Sequence, residues 1–160
     1  MTFIPDDLAQ YQITTASVAI NVRPTPSDSA FAFGASYTGA LGPEVLGNGA
    51  APVAVAGVNN LASIAANYSY SLALKTDGTV SAWGLNADGQ LGDSTTTSRD
   101  VPAVLQGLNG VVAIAAGGGT SLALKYDGTV WAWGLGTRGQ TGEGTFASSS
   151  TPVQVSVLPA

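Results

Sequence analysis

The chain contains no cysteine and no histidine, and only 9% of its 160 residues are charged. Without cysteine there is no disulfide, no thiolate nucleophile and no zinc-thiolate site, and cysteine usage says nothing about redox compartment. Without histidine, the Ser–His and Cys–His pairs that activate a nucleophile near neutral pH are missing. Five basic residues stand against ten acidic ones, a net charge of −5. The basic footprint that nucleic-acid phosphates require is therefore absent, and nucleic acid is not an expected partner. No stretch approaches the roughly 18 unbroken apolar residues of a membrane helix. The opening Met1-Thr2-Phe3-Ile4-Pro5-Asp6-Asp7 is acidic, whereas an export signal starts basic and then turns apolar. Neither a membrane partner nor an export signal is expected in this stretch. The compartment stays open, with a composition that suits an extracellular or cell-surface protein.

What is present is apolar and small. Hydrophobic residues make up 45% of the chain, enough to bury a core. Glycine, alanine, serine and threonine dominate, as they do where short strands and turns alternate.

A repeat organises the chain. Ile64-Ala65-Ala66, Ser71 to Lys75, Asp77 to Val80, Ala82 to Leu85, Gly89-Gln90 and Gly92 return 50 residues later as Ile114-Ala115-Ala116, Ser121 to Lys125, Asp127 to Val130, Ala132 to Leu135, Gly139-Gln140 and Gly142. Nearly two positions in three are identical across this span. A worn third copy precedes them: Phe31 to Gly34 lies under Ser81 to Gly84, Gly39, Leu41 and Gly42 under Gly89, Leu91 and Gly92, and Pro52 under Pro102. The expected division is an extension at 1–10, a divergent unit at 11–60, and units at 61–110 and 111–160, all within one structural domain. A period of this length signals a repeat architecture.

Within a unit, Val111 to Ala116 and Ser121 to Leu124 are apolar runs of strand length separated by Gly117-Gly118-Gly119. Asp77-Gly78 and Asp127-Gly128 supply the positive φ angles of tight hairpin turns. Thr129 to Gly134 gives a third strand and Pro152 to Val155 a fourth, with the proline at an edge. Apolar residues fall on both faces, as they must in a sheet sandwiched between neighbours. The expected fold is all-β: blades of four antiparallel strands, about three in number, forming part of a β-propeller.

This pattern resembles the regulator of chromosome condensation repeat, whose blade runs Val-x-x-Ile, a glycine turn, His-Ser-Leu, a second glycine turn, Trp-Gly and Gly-Gln-Leu-Gly. Residues 61–92 and 111–142 follow that order, while Tyr70 and Thr120 replace the family's histidine. The style of the repeats, low in lysine and free of cysteine, is bacterial. The resemblance implies a ring that usually has seven blades, and relatives that include exchange factors for a small GTPase and secreted bacterial inhibitors of β-lactamases.

Motifs that suggest chemistry have plainer readings. Gly134-Leu135-Gly136-Thr137-Arg138-Gly139 matches GxGxxG, but no helix pattern follows, and the copy at Gly84 to Gly89 lacks the middle glycine. Gly117 to Ser121 has no lysine of a phosphate loop and runs into a strand. Asp77 and Asp127 are turn residues; Asp88, Asp93, Asp100 and Glu143 sit in polar loops, without the spacing of a calcium site. Asn67-Tyr68-Ser69 fits a glycosylation pattern that occurs often by chance. No catalytic, cofactor or metal residues are assigned, and an enzyme is not expected.

Phe33, Trp83 and Trp133, each followed by a glycine (Gly34, Gly84, Gly134), recur in register and are assigned to the blade core. Tyr68, Tyr70, Tyr126 and Trp131 occur in one unit only, so the blade does not demand them; with Arg138 they are the candidates for partner contact, since interfaces enrich tyrosine, tryptophan and arginine. The expected function is a protein-interaction scaffold that binds an unidentified protein through its loops. The alternatives are a surface or secreted inhibitor module and a sugar-binding propeller with Tyr68 and Tyr70 as part of its platform; an exchange factor fits poorly with an acidic chain of three units. Three blades leave two faces uncovered, so either the chain belongs to a longer protein or two copies complete a six-bladed ring.

Overall fold

The computed structural model describes residues 17–21, 29–34, 38–43, 49–67 and 69–156. Among them the chain forms three antiparallel sheets and no helix. The first contains β1 (Ser17–Asn21), β2 (Ala30–Gly34) and β3 (Gly49–Ala54), paired in that order. The second contains β4 (Leu61–Ala66), β5 (Tyr70–Lys75), β6 (Val80–Gly84) and β7 (Arg99–Val104). The third repeats it with β8 (Val111–Gly117), β9 (Thr120–Lys125), β10 (Val130–Gly134) and β11 (Ser149–Gln154). Each strand pairs with the next in sequence, giving blades that meander from one edge to the other. The expected 1–10 extension lies outside the described residues.

Local chemistry explains the strand limits. In the β5–β6 hairpin, Gly78 takes φ 78° and the Asp77 carboxylate accepts the backbone N–H of Thr79 at 2.9 Å. Asp127, Gly128 and Thr129 repeat this arrangement between β9 and β10. The last strand of each sheet carries its proline (Pro52, Pro102, Pro152) at an edge, beside a register shift in the pairing with the strand before it. A residue without an N–H is tolerated there because no further strand needs the bond.

The worn unit differs in one respect that residue matching alone did not reveal. Ser71 faces Trp83, but Val18, not Asn21, faces Phe33. β1, the counterpart of β5, thus lies three residues earlier than the 50-residue spacing predicts, and more residues separate it from β2 than separate β5 from β6.

Burial follows position in the stack. Every residue of β6, and all of β5 except Lys75, is buried, because the middle blade has a neighbour on each side. One seam joins Ile64, Ala73 and Trp83 of the middle blade to Ala30, Ala32, Leu41, Val55 and Val58 of the first. The other joins Leu72, Leu74 and Ala82 to Val111, Ala123 and Trp133 of the third. Alanines in mid-strand keep the sheets close, and each buried indole contributes about 2–3 kcal/mol of transfer free energy.

Candidate functional site

The blades are fastened by a repeated polar contact. The indole N–H of Trp83 donates to the Ala40 carbonyl at 2.8 Å, and that of Trp133 donates to the Gln90 carbonyl at 2.9 Å. Each acceptor lies in the loop of the preceding blade. Ser71 and Ser121 hydroxyls donate to the same two carbonyls, at 3.3 and 2.7 Å. Gly84 and Gly134 make this seam possible. Both have positive φ, 106° and 97°, and a Cβ on Gly84 would stand 2.5 Å from the Ser69 carbonyl oxygen, while one on Gly134 would collide with the carbonyl of Gly119. Trp83, Trp133, Gly84 and Gly134 are buried; Phe33 and Gly34, at the open side of the first blade, are half-buried.

Tyr70 belongs to this seam and not to a contact surface. It is fully buried; its hydroxyl donates to the Thr120 carbonyl at 2.7 Å and accepts from the Ser121 hydroxyl at 3.2 Å. Burial pushes its pKa above the ordinary 10.0, with the Ser121 hydrogen bond acting in the opposite sense. Its appearance in one unit only reflects a bond across one seam, a reason that a comparison of repeats does not expose. A sugar platform that includes Tyr70 is likewise closed off. Tyr68 lies outside the described residues.

The remaining candidates divide between opposite ends of the third blade. At the hairpin end, Tyr126 is 78% exposed, and its N–H donates to the Gly110 carbonyl at 2.9 Å. Nearby, the Lys125 ammonium lies 5.3 Å from the centre of the half-buried Trp131 ring, a cation–π distance. The Trp131 N–H donates to the Thr129 hydroxyl at 3.0 Å. At the other end, the turn between β8 and β9 adjoins the long loop 135–148, joined by a bond from the Leu135 N–H to the Gly119 carbonyl at 2.9 Å. Arg138 is exposed on this loop, as is Phe146, at 78%. Phe146 replaces Thr96 of the middle unit; the same test of unit-specific aromatics that selected Tyr126 identifies it, although it is absent from the candidates read from the sequence.

The loops at this end are braced from inside. Asn86 is buried, and its amide donates to the Asp93 carboxylate (3.1 Å) and to the carbonyls of Thr95 (3.0 Å) and Thr97 (3.2 Å), while its carbonyl accepts the Leu91 N–H at 2.9 Å. Asp93 also pairs with Arg99. Burial pushes the Asp93 carboxyl up, but hydrogen bonds from Thr95 and Asn86 and the Arg99 charge outweigh it, and its pKa lies below the ordinary value. In the third blade Gly136 takes the place of Asn86, and the Ala147 carbonyl occupies the space that a Cβ would need. The middle glycine of the GxGxxG match is therefore explained by loop packing, and β10 leads into this loop rather than into a helix. Among the described residues no three acidic side chains converge as a metal site.

Against known proteins, the family model described as "Regulator of chromosome condensation (RCC1) repeat" matches residues 77–124 and 127–160, and a second model of the same description matches 61–90 and 111–140. No curated protein sequence matches the chain. Among solved structures it is similar to Prp20p of Saccharomyces cerevisiae, studied for its binding to Gsp1p and histones, with 21% identity and a TM-score of 0.76 over 88% of this chain and 36% of that one. It is similar to human WBSCR16, with 26% identity and a TM-score of 0.73 over 87% and 35%. It is also similar to a chain in the structure of Kap60 bound to yeast RCC1 (Prp20), with 20% identity and a TM-score of 0.78 over 88% and 35%. The chain thus spans little more than a third of the length of these proteins.

Proposed function

Because the chain belongs to the regulator of chromosome condensation repeat family, we propose that it is a non-catalytic protein-binding module that contacts its partner through the loops at the ends of its blades. The observation that carries this reading is Phe146, a large aromatic side chain held 78% exposed on the loop that also carries the exposed Arg138. Leaving such a ring in water forgoes the gain of burying it, and nothing in the blade requires it there. An exposed aromatic and an exposed arginine on one loop of a framework of packed sheets are the residue types that dominate binding energy at interfaces. The binding of Prp20p to Gsp1p and histones, and the structure of Kap60 bound to yeast RCC1 (Prp20), support a protein as the kind of partner. At the hairpin end the exposed Tyr126, next in sequence to the Lys125 that lies over Trp131, is a second candidate contact.

The test is affinity capture with the full chain, comparing wild type with Phe146→Ala/Arg138→Ala and with Tyr126→Ala. Loss of a hot-spot pair worth about 1.4 kcal/mol or more corresponds to a tenfold or greater drop in affinity. The expected result is such a drop for the Phe146/Arg138 variant with unchanged circular dichroism. Retention of every captured protein at wild-type level by both variants would refute the loop assignment.

A further inference from the structure

We propose that Asn109 is a site of spontaneous deamidation, and that its isoaspartate product loosens the seam between the second and third blades.

Asparagine is a thermolabile residue because the backbone nitrogen that follows it can attack its side chain. Attack is fastest where the next residue is glycine, with no Cβ in the way. It also needs a side chain open to water and a backbone N–H that no hydrogen bond holds. Asn-Gly occurs at 48–49 and at 109–110, and Asn48 lies outside the described residues. Asn109 is exposed, in the link between β7 and β8 where the second blade meets the third, with both blades in place around it. Neither its side chain nor the Gly110 N–H is hydrogen-bonded to another described residue.

The repeat supplies the contrast. Asn86 is buried, its amide and carbonyl are both bonded, and Ala87 follows it. Asn59, the copy of Asn109, is equally exposed but precedes Asn60, whose Cβ hinders attack. Asn60 and Gly110 share a backbone conformation, with φ 53° and 69°. What separates them is the residue opposite. The Thr76 N–H donates to the Asn60 carbonyl at 2.8 Å, and the Tyr126 N–H donates to the Gly110 carbonyl at 2.9 Å. A Cβ on Gly110 would stand 2.6 Å from the Tyr126 ring. The tyrosine therefore holds position 110 as glycine, and the reactive pair comes with it.

The reaction needs only water. The Gly110 nitrogen gives its proton to solvent and bonds to Cγ of Asn109, whose side-chain nitrogen leaves as ammonia, and a succinimide ring remains. Water opens the ring. Breaking the bond from nitrogen to Cγ gives aspartate; breaking the bond from nitrogen to the main-chain carbonyl carbon of residue 109 gives isoaspartate, whose main chain runs through Cβ and Cγ and is one carbon longer. That carbon has nowhere to go. Leu108 and Val111, on either side, are 1% and 4% exposed in the core of this seam, and the Val111 N–H donates to the Gly78 carbonyl at 3.1 Å. Lengthening the chain between two anchored residues displaces at least one of them.

The full chain is incubated in alkaline buffer and sampled over days by peptide mapping, with fragment spectra that place each change on one residue and methylation by protein isoaspartyl methyltransferase to detect isoaspartate. The comparison is Gly110→Asn/Tyr126→Thr, which rebuilds the pair of the middle unit and carries the same Asn48. In wild type Asn109 is expected to gain the single dalton that separates a carboxyl from an amide, together with an isoaspartate signal, while Asn59 and Asn86 stay unchanged. The double variant is expected to show no change at residue 109. The urea midpoint of wild type should fall as isoaspartate accumulates, and that of the double variant should hold. An Asn109 that survives in the folded chain while it reacts in the urea-unfolded one, an Asn59 that reacts as fast, or a double variant that still reacts at residue 109 would overturn the site. Isoaspartate at residue 109 with the midpoint of fresh protein would overturn its effect on the seam.

Discussion

Replacing Tyr70 by phenylalanine removes one oxygen atom from the seam between the second and third blades and leaves the ring in place. The lost hydroxyl donates to the Thr120 carbonyl at 2.7 Å inside a fully buried region. A net hydrogen bond contributes about 0.5–1.5 kcal/mol, but a buried acceptor left without its donor costs about 1–3 kcal/mol. Ser121 is spared this cost because its hydroxyl keeps the Gln90 carbonyl at 2.7 Å, so a loss of about 1–2 kcal/mol is expected. For a domain of this size, that lowers the melting temperature by about 2–8 °C. The pH dependence gives a sharper test. Burial raises the native pKa of Tyr70 above 10.0, so between that value and the raised one the unfolded chain has lost a proton that the native state retains. The stability this proton represents is fully present below pH 10 and is lost as pH climbs towards the native value. The loss reaches about 1.4 kcal/mol per pH unit for one group, and the phenylalanine variant is immune to it. Urea unfolding followed by far-ultraviolet circular dichroism at pH 8 and pH 11 measures both quantities. The gap between wild type and variant should be about 1–2 kcal/mol at pH 8 and smaller at pH 11. An equal gap at the two pH values, or none at pH 8, would refute the placement of Tyr70.

Two further substitutions probe the packing. Gly84→Ala places a Cβ against the Ser69 carbonyl at positive φ, whereas Gly128→Ala meets strain of φ alone with open space around it; Gly84→Ala should cost at least about 2 kcal/mol more in chemical denaturation. Thr141 has a buried hydroxyl with no hydrogen-bond partner and stands where the middle blade has the buried Leu91. Thr141→Val removes an unpaired polar group at constant shape and should raise stability by about 1 kcal/mol in a urea titration.

Much of the fold was legible because the repeat supplies its own control. Positions that return unchanged, such as Trp83 and Trp133 or Gly84 and Gly134, are those the blade needs, and the structure gives each a bond or a forbidden Cβ. The same logic misplaced Tyr70. A residue unique to one unit can serve the surface or a single seam, and only the position of the neighbouring Thr120 carbonyl separates the two. Phe146 could have been found from Thr96 by the comparison applied to Trp131, but the packing of its loop, with the Ala147 carbonyl in the space a Cβ on Gly136 would need, is not written in the repeat. The wider separation of β1 and β2 was hidden because matching at a constant offset assumes equal loop lengths.

The indole bonds have a consequence for how such a molecule changes over generations. The donor is tryptophan at both seams, but the acceptor is a main-chain oxygen, and Ala40 and Gln90 serve equally. Constraint is therefore one-sided: the loop that receives a blade is free to vary its side chains, and with them its outward chemistry, while the strand that enters is not. A segment copied whole carries both halves of this fastening, so a new unit arrives already able to dock on its template, and the number of units can drift without any seam being invented afresh.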